Sequence, residues 1–326
     1  MKRIIINALL LLVACGILTF LGLTRGTPSL SVQQVWTLFS GEAARNVQLI
    51  VLEWRLPRVM MALLLGAALG VSGAIFQSLL RNPLGSPDIL GFNTGAYSGV
   101  LVALVLFQQN MAGMTLAALA GGLLTAAVVW LFSWRNGVET FRLIIVGISV
   151  RALLMALNSW LIISASLEAA LSAGLWSAGS LNGITWAKTL PVTVVLLLAL
   201  LATGMLARRM RLLEMGDDTA CALGVPVERS RVMLMLTGVI LTAASTALAG
   251  PLSFIALLAP QIARRLCGGV KGALPLAALC GALLLIAADY AAQHLFLPYQ
   301  LPVGVITVSL GGLYLIALLI REARRQ

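Results

Sequence analysis

The sequence predicts an all-α polytopic membrane protein, a single transmembrane domain over residues 1–326 with about ten spanning helices and both termini cytoplasmic. Three observations carry this. The chain is 60% hydrophobic and 10% charged, with mean hydropathy +1.01, a composition foreign to soluble domains of this length. Apolar runs long enough to cross ~30 Å of hydrocarbon recur from end to end. Lysines and arginines fall mostly on one side of those runs.

The apolar runs place helices at roughly 4–24, 57–80, 91–107, 113–134, 143–164, 190–207, 232–249, 253–266, 274–296 and 303–320. The eighth is short, and the chain near Gly250-Pro251 is expected to bend back before crossing. With the N-terminus inside, Arg25, Arg45, Arg55, Arg58 and Lys188 lie outside. The remaining lysines and arginines, Arg151 excepted, lie inside, which fixes the orientation. Lys2-Arg3 ahead of an apolar run resembles a signal peptide, and Leu12-Val13-Ala14-Cys15 a lipoprotein cleavage box. An uncleaved first span is preferred, because the charge bias needs it.

Small residues crowd the second span at Gly66, Ala67, Ala68, Gly70, Ser72 and Gly73, so helices are expected to approach closely there. Residues 60–95 and 232–266 share a weak pattern, a small-residue helix followed by Pro83-Leu84 or Pro251-Leu252, suggestive of an internal repeat.

The formal charge of +11 reflects topology, so nucleic acid is not an expected partner. Cys15, Cys221, Cys267 and Cys280 form no CxxC pair and His294 is the single histidine, leaving no sequence case for a metal site or a catalytic triad. No GxxxxGK[ST] phosphate loop occurs, so this chain carries no ATP site of that kind.

The most polar long loop runs from Met215 to Arg231, after Arg208-Arg209-Met210-Arg211. Asp217 or Asp218 can start a short helix there, and Gly224 and Pro226 can stop it. A short cytoplasmic helix between spans suits grip by a soluble motor; the plainer reading is a solvated loop helix. Within the fifth span, Arg151 and Asn158 share a face with Met155 between them. A charge at that depth must face protein or a watery cavity: either a passing anionic solute, or helix carbonyls or Asp289. Asp289 is read as structural.

At Arg55-Leu56-Pro57-Arg58, Asn82-Pro83-Leu84-Gly85, Gly91-Phe92-Asn93-Thr94-Gly95, the Asp217–Pro226 loop and Leu301-Pro302-Val303-Gly304, the chain resembles the iron–siderophore and vitamin B12 permeases of bacterial ABC importers over nearly its whole length. Gly179-Ser180-Leu181-Asn182-Gly183 and Leu212–Asp218 resemble the ferric-enterobactin permeases that pair with a different but related subunit. The resemblance implies a type II ABC importer permease in the bacterial inner membrane, without cofactor or catalytic residues of its own. It implies two permease subunits around a central path, two ATPase subunits holding ATP and magnesium, and a periplasmic siderophore-binding protein, all in membrane lipid.

It also assigns roles. Asp217, Asp218, Ala220, Leu223, Gly224, Val225 and Pro226 would form the ATPase-coupling segment, with Ala220 allowing close approach. Arg55 and Arg58 would meet acidic residues of the binding protein, against a plainer headgroup-anchoring role. Arg151, Met155 and Asn158 would line the path, and Thr140 and Phe141, in the turn with Glu139, would form the cytoplasmic gate. Gln293 stands where relatives have a further outside arginine, so it does not inherit docking. The competing readings are an ion-coupled secondary transporter, which needs intramembrane acids nearly absent here, and a membrane enzyme, which needs a reactive cluster that is not evident.

Overall fold

The computed structural model describes residues 2–26, 29–41, 43–108, 111–134, 140–268 and 273–323. All ten expected helices are present: α1 (Lys2–Thr24), α4 (Leu56–Leu79), α5 (Phe92–Val105), α6 (Met111–Ser133), α7 (Thr140–Ser164), α9 (Trp186–Leu213), α11 (Val227–Ala249), α12 (Ile255–Cys267), α13 (Ala273–His294) and α14 (Val303–Ala323). Helices α9 and α11 reach further toward the cytoplasm than hydropathy indicates, because the last turns of α9 (Arg208, Arg209, Arg211) and the first turns of α11 (Arg229, Arg231) carry arginines that leave the hydrocarbon. Short helices α2 (Val32–Ser40), α3 (Arg45–Gln48), α8 (Leu167–Ser177) and α10 (Asp217–Ala222) lie between the spans. Only α10 was legible beforehand; α2, α3 and α8 are too short to register as spans.

Helix α4 is the hub, continued upstream by a π-helical turn, Leu49–Arg55. It packs against α13, α11, α12 and α9 and is buried along most of its length. Its glycines make this possible. A Cβ at Gly66 would collide with the Gly281 carbonyl of α13, and one at Gly73 with the Ala256 carbonyl of α12. Bare backbones thus meet where lipid gives no hydrophobic drive and van der Waals contact must hold the helices.

Among the described residues, seven helices are long and apolar enough to cross a membrane; α5, α12 and α14 are shorter in their apolar length. The short α5 and α12 each follow a break, at 80–91 and 250–254, and their N-termini meet. Asp88 is the junction. Its carboxylate accepts from the Asn93 side chain at the start of α5 and from the backbone N–H of Phe254 at the start of α12. One anion thereby serves two helix N-termini, where unpaired N–H groups and the macrodipole favour negative charge. Asn93 Oδ1 accepts from Thr246 at 2.7 Å. Gln77 donates to the Leu257 carbonyl at 3.0 Å and Gln261 to that of Pro83 at 2.9 Å. Side chains of each repeat-like unit thus satisfy the broken backbone of the other. Both units are a long helix, a break and a short helix, running in opposite directions, and this is the similarity glimpsed between residues 60–95 and 232–266.

Candidate coupling, path and docking residues

Helix α10 begins at Gly216 (φ 112°), without a side-chain cap. The expected carboxylate cap is absent because Asp217 is engaged elsewhere. Its carboxylate accepts from Arg81 at 2.7 Å and from Arg231 Nη2 at 2.7 Å. Arg81 sits just past α4 in a left-handed conformation (φ 47°), and Arg231 is in the second turn of α11. Asp217 therefore fastens α10 to the cytoplasmic ends of two core helices. Asp217 and Asp218 both lie in the first turn, where the helix dipole favours them.

The exit of α10 is a Schellman turn. Gly224 N–H donates to Cys221 and Val225 N–H to Ala220, at 2.9 and 3.0 Å, with Gly224 at φ 77° and the apolar pair Val225 and Ala220 buried beneath. The close approach expected of Ala220 is to its own chain: it is 0% exposed. Leu223 is 58% exposed. Asp218, Gly224 and Pro226 are exposed beside it, so the segment has one face built into the permease and one free.

At the same end, Thr140 opens α7 and its hydroxyl donates to the Leu79 carbonyl at 3.3 Å, pinning the turn to α4. Phe141 is exposed. Glu139 lies outside the described residues.

Along α7 the polar stripe splits. Arg151 and Met155 are exposed, whereas Asn158 is buried and donates to the Thr94 carbonyl of α5 at 3.4 Å. Arg151 lies against Gly91, close enough to Asp88 for direct charge attraction. Its carboxylate neighbour is Asp88; the alternative pairing with Asp289 does not form.

Asp289 instead takes Arg58. Arg58 Nη2 donates to Oδ1 at 2.8 Å and Nε to Oδ2 at 3.0 Å, a bidentate pair, while Nη1 donates to Asn182 at 2.6 Å. Gln293 Nε2 adds a bond to Oδ2 at 2.8 Å. Arg55 donates to the carbonyls of Leu23 and Thr24 at 2.8 and 3.2 Å, closing the end of α1. Both outside arginines thus hold the rim of the permease together, whatever else they do.

A solved structure described as an inward-facing conformation of a putative metal-chelate type ABC transporter matches this fold with TM-score 0.87 at 29% identity, covering 96% of this chain and 98% of that one. The model of the FecCD transport family matches residues 11–321. The chain belongs to the FecCD transport family. Among its relatives, the ferric enterobactin transport system permease protein FepG of Escherichia coli is 64% identical over 325 residues, 100% of this chain and 98% of that protein. The achromobactin transport system permease protein CbrC of Dickeya dadantii is 37% identical, covering 97% and 91%. The hemin transport system permease protein HmuU of Yersinia pestis is 35% identical, covering 99% and 97%. As a FecCD member the chain is a multi-pass ABC permease subunit and not an enzyme, which sets aside the ion-coupled and enzymatic readings.

In this FecCD permease, sequence reasoning missed the junction at Asp88, which polarity alone could have flagged, since Asp88 follows Ser86-Pro87 in a break between apolar runs. It also missed that Arg25, Arg45 and Lys188 are the exposed outer cations. The Arg58–Asp289 pair gives a stability prediction. Asp289→Ala leaves a mostly buried guanidinium unpaired, which costs about 3–5 kcal/mol. Thermal unfolding in detergent should therefore fall well below wild type, and the Asp289→Ala/Arg58→Met double variant should recover much of the loss.

Proposed function

We propose that this FecCD permease moves an iron(III)–catecholate siderophore, ferric enterobactin, from periplasm to cytoplasm across the bacterial inner membrane. It would do so as one half of a heterodimer with a related permease subunit. The observation that carries the substrate is the 64% identity to FepG over the whole of both chains. Two ATPase subunits, holding ATP and magnesium, would grip the free face of α10 through Leu223, Asp218, Gly224 and Pro226. Their closure would move α10 as a lever and change which gate is open. At the cytoplasmic mouth, Thr140 and Phe141 are the proposed gate. Arg151 and Met155 supply a charged and adaptable path wall for an anionic chelate, with Asn158 holding that wall against α5.

A periplasmic siderophore-binding protein would dock on the outer rim. Arg55 and Arg58 shape that rim while bonded within the chain, and Arg25, Arg45 and Lys188 offer charge still facing solvent, suited to steering acidic lobes.

The test is uptake of iron-55-labelled ferric enterobactin in cells lacking this chain. Wild type restores uptake. Leu223→Asp inserts normally, because the side chain is exposed, but loses the copurifying ATPase and at least tenfold of uptake, the scale expected for burying a charge in an apolar contact. No difference between cells with and without wild type would refute the cargo; full uptake by Leu223→Asp would remove α10 from the coupling.

A further inference from the structure

We infer that this permease carries a specific site for an anionic phospholipid of the cytoplasmic leaflet, in the cleft between α9, α12, α13 and α4. The cleft encloses about 270 Å³. Its apolar walls include Ala74, Gly204, Met210, Pro260 and Leu274, and three charged groups border it, Arg211, Glu214 and Arg264. No role in coupling, gating, docking or the path requires it.

Its position selects the occupant. Helix α9 has 28 residues, about 42 Å of helix against ~30 Å of hydrocarbon, so its final turns stand at headgroup level. The small-residue part of the cleft, at Gly204, lies nearly two turns deeper. Polar binding groups at the headgroup and apolar walls below match an amphiphile that enters from the leaflet.

Its charge selects the headgroup. Arg211 makes no hydrogen bond or ion pair with any described residue. Arg264 and Glu214 stand 3.6 Å apart, beyond a normal hydrogen bond. Two guanidiniums therefore face one carboxylate, and the surplus positive charge suits a phosphate whose ester carries no compensating amine. Basic pockets between spanning helices at the cytoplasmic side bind such headgroups. A free phosphate has the same charge chemistry but makes no use of the apolar walls. The cleft is open for a chain: a Cβ at Gly204 would meet nothing within 4 Å.

The transporter, purified in mild detergent with the subunits that accompany this chain, is assayed by native mass spectrometry and lipid extraction after exchange into mixed phosphatidylglycerol and phosphatidylethanolamine. Wild type should retain phosphatidylglycerol selectively, about one per chain, and keep it against millimolar inorganic phosphate. Arg211→Gln/Arg264→Gln removes the headgroup charges, and Gly204→Leu extends a side chain into the chain space from a position where the Cβ itself meets nothing within 4 Å. Each should cut retention roughly tenfold or more while thermal stability without added lipid stays at the wild-type value. Equal retention of phosphatidylethanolamine, displacement by phosphate, or unchanged phosphatidylglycerol in both variants would overturn the site. So would loss of the ATPase, with lipid unchanged, in the arginine variant, which would give those arginines to a protein contact.

Discussion

Asp217→Asn is expected to lower ferric enterobactin uptake about tenfold while the ATPase still copurifies and still hydrolyses ATP. The reason is the direction in which Asp217 faces. Its carboxylate spends its bonds on Arg81 and Arg231, on the inner side of α10, while Leu223 and its neighbours supply the free face. The amide keeps the shape but removes the charge, leaving two guanidiniums facing each other. Hydrogen bonds to charged groups contribute about 1.5–3 kcal/mol. Asp217 is 41% and Arg81 44% exposed in their side chains, so solvent screening reduces this to about 1–2 kcal/mol. That is roughly a tenfold change in the fraction of α10 held in register with α4 and α11. The informative readout is the number of ATP molecules hydrolysed per siderophore delivered in proteoliposomes, which should rise. If ATPase binding fell instead, with the ratio unchanged, Asp217 would belong to the subunit contact.

Gly73→Val is expected to abolish accumulation of the folded permease. No rotamer choice relieves the clash, because the obstacle is the Ala256 carbonyl and backbone of α12. Separating α4 from α12 would also pull Gln77 from the Leu257 carbonyl and disturb the seat of the α12 N-terminus on Asp88. Overpacking in a well-packed core costs about 1–3 kcal/mol. A rigid backbone obstacle and lost buried bonds exceed that, against a total stability of about 5–15 kcal/mol. The control is Gly16→Val in α1, where an added Cβ meets nothing within 4 Å. Fluorescence-detected size-exclusion chromatography of tagged chains should show a monodisperse peak for the control and aggregate or no peak for Gly73→Val. A normal peak for Gly73→Val would mean that α4 and α12 are not in backbone contact.

Particular residues mark how far the sequence reached. The spans, their order and their sidedness follow from hydropathy and from the placement of Lys and Arg. Transfer into lipid and attraction at the cytoplasmic face are summed along the chain, so they can be read from one dimension. The small cytoplasmic helix α10 was legible because its exit chemistry is local: Gly224 has the backbone freedom the turn needs, and Pro226 follows. Crowded glycines announced that α4 would be approached closely.

Partner choice was not legible. Asp289 meets Arg58 across 231 positions, and Asp217 meets Arg81 across 136; a charge at a given depth states a need for a partner without naming it. The same holds for Ala220, which faces inward, and for Asn158, which turns to α5 while Met155 stays open. The sequence by itself determined which segments enter the membrane, in which direction, and where the short cytoplasmic helix lies. Only the tertiary structure decided which charges neutralise one another, how one carboxylate serves two broken helices, and which face of each helix is left exposed. Those outcomes depend on backbone approach distances between helices remote in sequence, and close packing sets such distances for the whole bundle at once.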